Sequence, residues 1–383
     1  MTQKLYETNS YIKEFTATVV SCTEQNGKFL VILDKTAFFP EGGGQAPDKG
    51  VLNGIPVLDV QESGGEVVHT LESPLNVLEE VVGKIDFALR FSRMQNHCAE
   101  HILSGFIHKL FGFNNVGFHM NDSLVTFDVS GTLTPENIEQ IELEANRAVF
   151  ENAEITVLTP TVEEFENINC RSKIELKEGV RLINVEGFDI CACCAPHPAR
   201  AGEIGLIKIV NFYSFKGGTR IEMVAGSLAL ADYSYLHNAA KSIMKQLSAK
   251  REEIAESVEK LGADLAAARF ENKGLLEKLA TANLKTEKVG ESVIGFTQNA
   301  DFNCLRNIAN TLCETAKTVA LFSFEEDNNF NYLLLSKSEN LTEITKSLNS
   351  AFSGKGGGKP NCTQGKLLAK GQNEILKFIK AKI

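Results

Sequence analysis

His97 and His101 stand four residues apart in Asn96-His97-Cys98-Ala99-Glu100-His101, inside a run that reads as helix. Positions i and i+4 share a helix face, so both imidazoles can reach one point in space. A helix offers two nitrogen ligands to a zinc ion in this way. A second donor pair, Cys193 and His197, lies far along the chain in Cys191-Ala192-Cys193-Cys194-Ala195-Pro196-His197. A cysteine and a histidine four residues apart in a Gly/Pro/Ala loop fit the remaining half of a tetrahedral site. Glu100 precedes the second histidine, whereas the base of a zinc protease directly follows the first. It is therefore expected beside the site or in solvent.

The elements that must bring these pairs together follow from pattern. Residues 1–90 read as strands: two β-rich runs flank Asn26-Gly27, a strong hairpin signal, and further alternating runs follow. Within them, Gly42-Gly43-Gly44-Gln45 lets backbone approach a ligand closely, without Walker or dinucleotide spacing. Residues 91–231 read as mixed α/β, with helices over 91–111 and 135–152 and strands near 124–129, 155–158, 180–185, 204–212 and 219–224. Residues 232–285 read as one long helical arm. Leu236, Ala240, Ile243, Leu247, Ile254, Val258, Leu261, Leu265, Ala268, Leu275 and Leu279 follow heptad-like spacing, with a break near 250–258. Residues 286–383 alternate strands with helices, and a glycine- and lysine-rich loop over 353–366 suits phosphate or RNA backbone. The expectation is a multidomain α+β chain: a small β-barrel-like domain, a zinc-containing α/β domain, a helical arm and a C-terminal α/β domain.

Composition narrows the function classes. The chain has 383 residues, a hydrophobic content of 43% and a net charge of −10, which disfavours a nonspecific nucleic-acid binder. The end differs: after Ala351 lie Lys355, Lys359, Lys366, Lys370, Lys377, Lys380 and Lys382 against Glu374. No apolar run reaches membrane-span length and the N-terminus has no signal-peptide core, so a cytoplasmic protein is expected. Nine cysteines, with Cys191, Cys193 and Cys194 crowded together, suit metal binding or burial better than disulfides.

Taken in order, Thr36-Ala37-Phe38-Phe39-Pro40-Glu41-Gly42-Gly43-Gly44-Gln45, His97-x3-His101, Cys193-x3-His197 with Gly202-Glu203-Ile204-Gly205, and Gly356-Gly357-Gly358-Lys359-Pro360-Asn361 resemble the alanyl-tRNA editing family. These are free-standing relatives of the editing and C-terminal parts of alanyl-tRNA synthetase. The resemblance covers nearly the whole chain, including a C-terminal domain of the DHHA1 type. The family's metal loop usually reads Cys-Gly-Gly-Thr-His, and here it is Cys-Cys-Ala-Pro-His. The register favours Cys193 as the thiolate ligand, with Cys191 and Cys194 as spare thiols. The chain is too short for an aminoacylation domain and contains no Asp-His-His sequence.

The resemblance implies hydrolysis of serine, with glycine second, from mischarged tRNA(Ala). Size alone cannot exclude glycine from an alanine pocket, and an added hydroxyl is rejected by roughly a hundredfold at best, so a second site must clear the errors. It further implies one Zn²⁺ per chain on His97, His101, Cys193 and His197. A homodimer, through the C-terminal unit or the helical arm, is expected from the chain's own pattern. Gln45 is then expected to position the reacting group, and Thr36 to read the serine hydroxyl. Lys355, Lys359 and Lys366 are expected to touch tRNA. Four protein ligands also describe a structural zinc, so a noncatalytic tRNA-binding module, or an editing enzyme for another tRNA, stands as the alternative.

Overall fold

The computed structural model describes residues 1–165, 167–171, 180–325 and 328–383. It divides into two compact units, Met1–Lys241 and Ser242–Ile383.

Six longer strands build the N-terminal part of the first unit: β1 (Glu14–Gln25), β2 (Lys28–Leu33), β3 (Gly50–Leu52), β4 (Ile55–Ser63), β5 (Glu66–Leu71) and β6 (Glu80–Ile85). They close into a barrel in the order β1-β2-β5-β4-β3-β6. The inward positions Val19, Val31, Leu33, Leu52, Val60, Val67, Leu71 and Val81 are fully buried. Closure removes the edges that would otherwise invite pairing with other chains. Asn26-Gly27 turns the first hairpin with both φ angles positive (53° and 74°), the primed turn that matches strand twist.

Helix α1 (Phe87–Phe111) follows at once. Asp86 caps its start by accepting from the Leu89 amide, and Gly112 ends it in the left-handed region at φ 71°. Its residues are buried on nearly all sides from Arg93 to Ile107, which makes it the central rod of the unit. Strands β7 (Asn115–Met120) and β8 (Val125–Val129), helix α2 (Pro135–Glu151), strands β9 (Ile155–Leu158), β10 (Leu182–Val185) and β11 (Asp189–Ala192), and the hairpin β12 (Ile207–Phe215) and β13 (Gly218–Ala225) surround it. One sheet runs β12-β13-β8-β7 and a smaller one β9-β10-β11. Cys98, Ile102 and Phe106 of α1 share a core with Ile141 of α2, Phe127 of β8 and Met223 of β13. Strands β7 and β11 lie outside the sequence expectation. Asn115–Met120 carries few β-branched residues, and Asp189–Ala192 sits in the cysteine-rich stretch read as loop.

The single helical arm expected over 232–285 is two helices, α3 (Ser227–Leu247) and α4 (Ile254–Ala282). The break falls between them, where Ser248 has φ 52° and Lys250 is extended. In the second unit, α4 precedes β14 (Lys285–Val289), β15 (Ser292–Gln298), α5 (Phe302–Cys313), β16 (Thr318–Phe324), β17 (Asn329–Ser336), α6 (Thr342–Ala351), β18 (Lys355–Lys359), β19 (Cys362–Leu368) and α7 (Gln372–Lys380). The six strands order as β14-β15-β16-β17-β19-β18. Only β15 and β16 run parallel within this sheet, joined by α5 as parallel neighbours require.

The stretch over 353–366, expected as a loop, is instead the hairpin β18–β19, with Gly356 opposite Gly365. Its glycines have a steric cause. A Cβ on Gly356 would overlap the Tyr332 hydroxyl, and one on Gly365 would lie 2.7 Å from it. That hydroxyl donates to Asn349 Oδ1 at 2.8 Å. Lys355 and Lys366 face each other across the hairpin.

Candidate metal centre

Helix α1 presents His97 and His101 one turn apart. Their rings stack with centroids 5.1 Å apart, and the His197 ring lies 5.2 Å from the first and 4.9 Å from the second. Cys193 Sγ is 3.5 Å from His97 Nε2 and 3.3 Å from His197 Nε2. Ligand atoms of all four side chains lie within 4.8 Å of one another. The three histidines are 5% exposed or less. Burial pushes the Cys193 thiol upward, with Cys194 adding to the effect. Burial and the neighbouring His97 hold His197 well below its ordinary value. His197 Nδ1 is buried without a hydrogen-bond partner among the described residues. One thiol and three imidazoles gathered around one point fit a divalent cation of the zinc type.

His101 also belongs to a second donor set with Asp189 and Cys191. Asp189 is already committed: both its oxygens accept from Arg171, at 2.8 and 2.6 Å. This favours the set containing Cys193. Arg181 Nη1 donates to the carbonyls of Cys193 (2.8 Å) and Ala195 (2.9 Å), fixing the turn that carries the thiol.

The glycine loop reaches the cluster from the barrel. Gln45 is fully buried and its Oε1 accepts from His97 Nδ1 at 2.9 Å. A proton on Nδ1 leaves Nε2 as the lone-pair nitrogen facing Cys193, which is how an outer partner fixes a ligand's tautomer. Phe118 packs beside His97, with ring centroids 5.0 Å apart. Gly44 explains the third glycine of the loop: its φ is +81°, and a Cβ there would lie 2.5 Å from Phe118 Cδ1. Gly44→Ala should therefore lower stability by about 1–2 kcal/mol from backbone strain alone. A thermal midpoint equal to the parent's would refute the strain.

Thr36 stands on the segment that leads to the glycine loop. It is fully buried, its hydroxyl accepts from the Phe38 amide at 3.1 Å, and it meets His69 Nε2 at 2.9 Å. His69 Nδ1 donates to the Val31 carbonyl at 3.1 Å, so Nε2 must accept the Thr36 proton. Its donor thus goes to the barrel histidine. His69 is pushed down to about 4, mainly by burial. The unfolded chain binds that proton more readily. The resulting stability is complete above pH ~6.5 and is lost as pH falls toward ~4, by about 3 kcal/mol at most. Urea midpoints of the parent and His69→Gln should diverge across that window. Parallel curves would exclude His69 as the source.

Glu100 is buried, its carboxylate accepting from Ser104 and Asn115, which ties it into the fold beside the cluster. Glu203 accepts from the Tyr11 hydroxyl at 2.8 and 2.9 Å and from the Arg200 amide at 3.1 Å, so it braces the loop after His197. Sequence reasoning missed Arg90, Arg93, Asp48 and Ser10. Arg90 and Arg93 did carry a signal, since both share the helical face of His97 at i−7 and i−4 spacing. Arg93 Nη1 donates to the Pro47 carbonyl at 2.6 Å, holding the far end of the glycine loop.

Lys355, Lys359 and Lys366 are exposed in the second unit. Lys366 pairs with Glu325 at 2.9 Å.

Comparison with known proteins bears directly on this arrangement. Family models match in three places: tRNA synthetases class II (A) over 4–89, the threonyl and alanyl tRNA synthetase second additional domain over 180–222, and the DHHA1 domain over 270–383. Alanyl-tRNA editing protein Aarsd1-A of Xenopus laevis is 30% identical, the match covering 93% of this chain and 92% of that protein. The chain belongs to the alanyl-tRNA editing protein family. Alanyl-tRNA editing protein AlaX-L of Pyrococcus horikoshii is 28% identical over 97% of this chain and 96% of its own length. An alanine–tRNA ligase of Ignicoccus hospitalis is 30% identical over 76% of this chain but only 33% of the ligase. This alanyl-tRNA editing family member thus matches these two editing proteins over more than nine tenths of each and the ligase in part. Among its described residues, no helix is long and apolar enough to cross a membrane.

Proposed function

We propose that the protein hydrolyses the ester joining serine, and secondarily glycine, to tRNA(Ala). The single observation that carries this reading is the Gln45–His97 contact, which brings the glycine loop onto the donor cluster. A purely structural metal would not need a buried amide on its ligand, and the Nε2 of Gln45 has no partner among the described residues. His97, His101, Cys193 and His197 would hold one Zn²⁺, whose chemistry when bound is Lewis-acid polarisation of the ester. Gln45 Nε2 is the donor available to the aminoacyl oxygen, and Gly44 with Phe118 forms the neighbouring wall. An ester is labile enough for positioning and one oriented donor to matter greatly.

The four-part organisation, 1–90, 91–231, 232–285 and 286–383, belongs to the same reading. Lys355, Lys359 and Lys366 contribute phosphate contacts, and the protein works in the cytoplasm. A homodimer is supported by the exposed heptad positions Val258, Leu261, Leu265, Leu275 and Leu279 of α4, with light scattering as the check.

The deciding experiment follows release of labelled serine from Ser-tRNA(Ala), with Ala-tRNA(Ala) as control. Release from the first and sparing of the second is the expected result. No release by metal-loaded protein would sink the hydrolase reading. Replacing Lys355, Lys359 and Lys366 together by alanine should weaken tRNA binding and reduce its salt slope by about 2–3. An unchanged slope would remove these lysines from the interface.

A further inference from the structure

Arg90 is fully buried, as is Asp48 at 1% exposure. A buried ion pair is costly to desolvate, and an apolar pair of similar shape is often as stable or more so. Ion pairing alone therefore gives no reason for a guanidinium here. Its contacts do. Nε donates to the two Asp48 oxygens at 2.8 and 2.9 Å, and Nη2 to the Ala37 carbonyl at 2.6 Å and to Asp48. Nη1 donates to the Ser10 carbonyl at 3.2 Å. One planar group thus gathers three segments that are remote in sequence.

Each of these segments leads to the cluster. Ser10 Oγ donates to the His197 carbonyl at 2.7 Å. Asp48 also accepts from the Phe39 amide at 2.7 Å, so Ala37, Phe39 and Asp48 brace both ends of the segment that carries Gln45. Arg90 itself lies on α1, two helical turns before His97 and on the same face.

We infer that Arg90, held by Asp48, is a positioning residue. It fixes the Gln45 loop and the His197 loop against the helix that bears His97 and His101. This inference rests on the proposed hydrolysis for its kinetic readout, and on the donor set alone for its metal readout. The planar fork is essential, because a lysine ammonium cannot serve a carboxylate and two divergent carbonyls in one plane.

The test compares the parent with Arg90→Met/Asp48→Leu, which removes both charges together, and with Arg90→Lys, which keeps the charge. The double variant should stay folded and unfold cooperatively, with a midpoint lowered only by the Ser10 and Ala37 carbonyls and the Phe39 amide it leaves unpaired. It should nevertheless bind zinc ~10- to 100-fold more weakly in chelator competition. Its kcat for serine release should fall about 100-fold, with KM within about twofold. Arg90→Lys should fail to rescue either quantity. Gln45→Ala added to the double variant should cost little more, since the same alignment is already lost. Parent-like zinc affinity, rescue by lysine, or full multiplication of the Gln45 effect would each overturn the proposal. A double variant that does not fold leaves the decision to Arg90→Lys on the same terms. Absence of serine release by the parent would sink the hydrolase reading and leave zinc affinity to decide the positioning role.

Discussion

Cys193→Ala should purify without a stoichiometric metal ion and lose serine release by at least ~10³-fold, while Cys191→Ala keeps both. The geometry separates the two thiols. Cys193 Sγ lies within 3.5 Å of ring nitrogens from both halves of the cluster. Cys191 is grouped with His101 and Asp189, and Asp189 is held by Arg171 at 2.6 and 2.8 Å. A carboxylate already neutralised by a guanidinium is a poor partner for a second cation site. His97→Ala should match Cys193→Ala, because each removes one of four donors and a zinc site derives much of its affinity from the complete set. Elemental analysis of the purified variants, with serine release measured on the same samples, checks both statements. Metal retained by Cys193→Ala and lost by Cys191→Ala would transfer the thiolate role to Cys191.

How far the sequence carried the site depends on which spacing was local. His97-x3-His101 and Cys193-x3-His197 each lie within one helical turn or one loop, so each pair was legible from i, i+4 spacing. That the pairs meet was read from the count of donors a tetrahedral site needs and from the resemblance, since nothing local says that the loop after β11 returns to α1. The Asn26-Gly27 hairpin was legible because turn chemistry is local. The β18–β19 hairpin was not, because its glycines answer to Tyr332, a neighbour on another strand. Thr36 shows the same limit. A threonine next to a glycine loop suggests a hydroxyl for the substrate, yet its partner, His69, arrives from across the barrel. Arg90 and Asp48 were silent for a related reason: a charged residue in a helix is usually solvated, and only the closed barrel places this one inside.

Gln45→Glu and Gln45→Ala should both abolish most of the activity, but they should part on the metal. The amide has two ends with separate tasks. Oε1 accepts from His97 Nδ1 at 2.9 Å, and Nε2 is buried with no partner among the described residues. Glutamate keeps an acceptor for Nδ1, as a carboxylate that supports a ligating histidine more strongly. It has no donor to offer the aminoacyl oxygen, and it adds negative charge where negative charge develops. Zinc affinity should therefore hold or rise, while kcat falls by about 10²–10³-fold, the usual cost of losing one aligned donor. Alanine removes both ends, so the same kinetic loss should come with weaker metal binding, by ~10-fold or more. Measuring kcat and zinc affinity on both variants separates a donor that acts on the ester from a residue that only orients His97. If Gln45→Glu keeps near-parental kcat, Nε2 has no part in the reaction and Gln45 serves the metal alone.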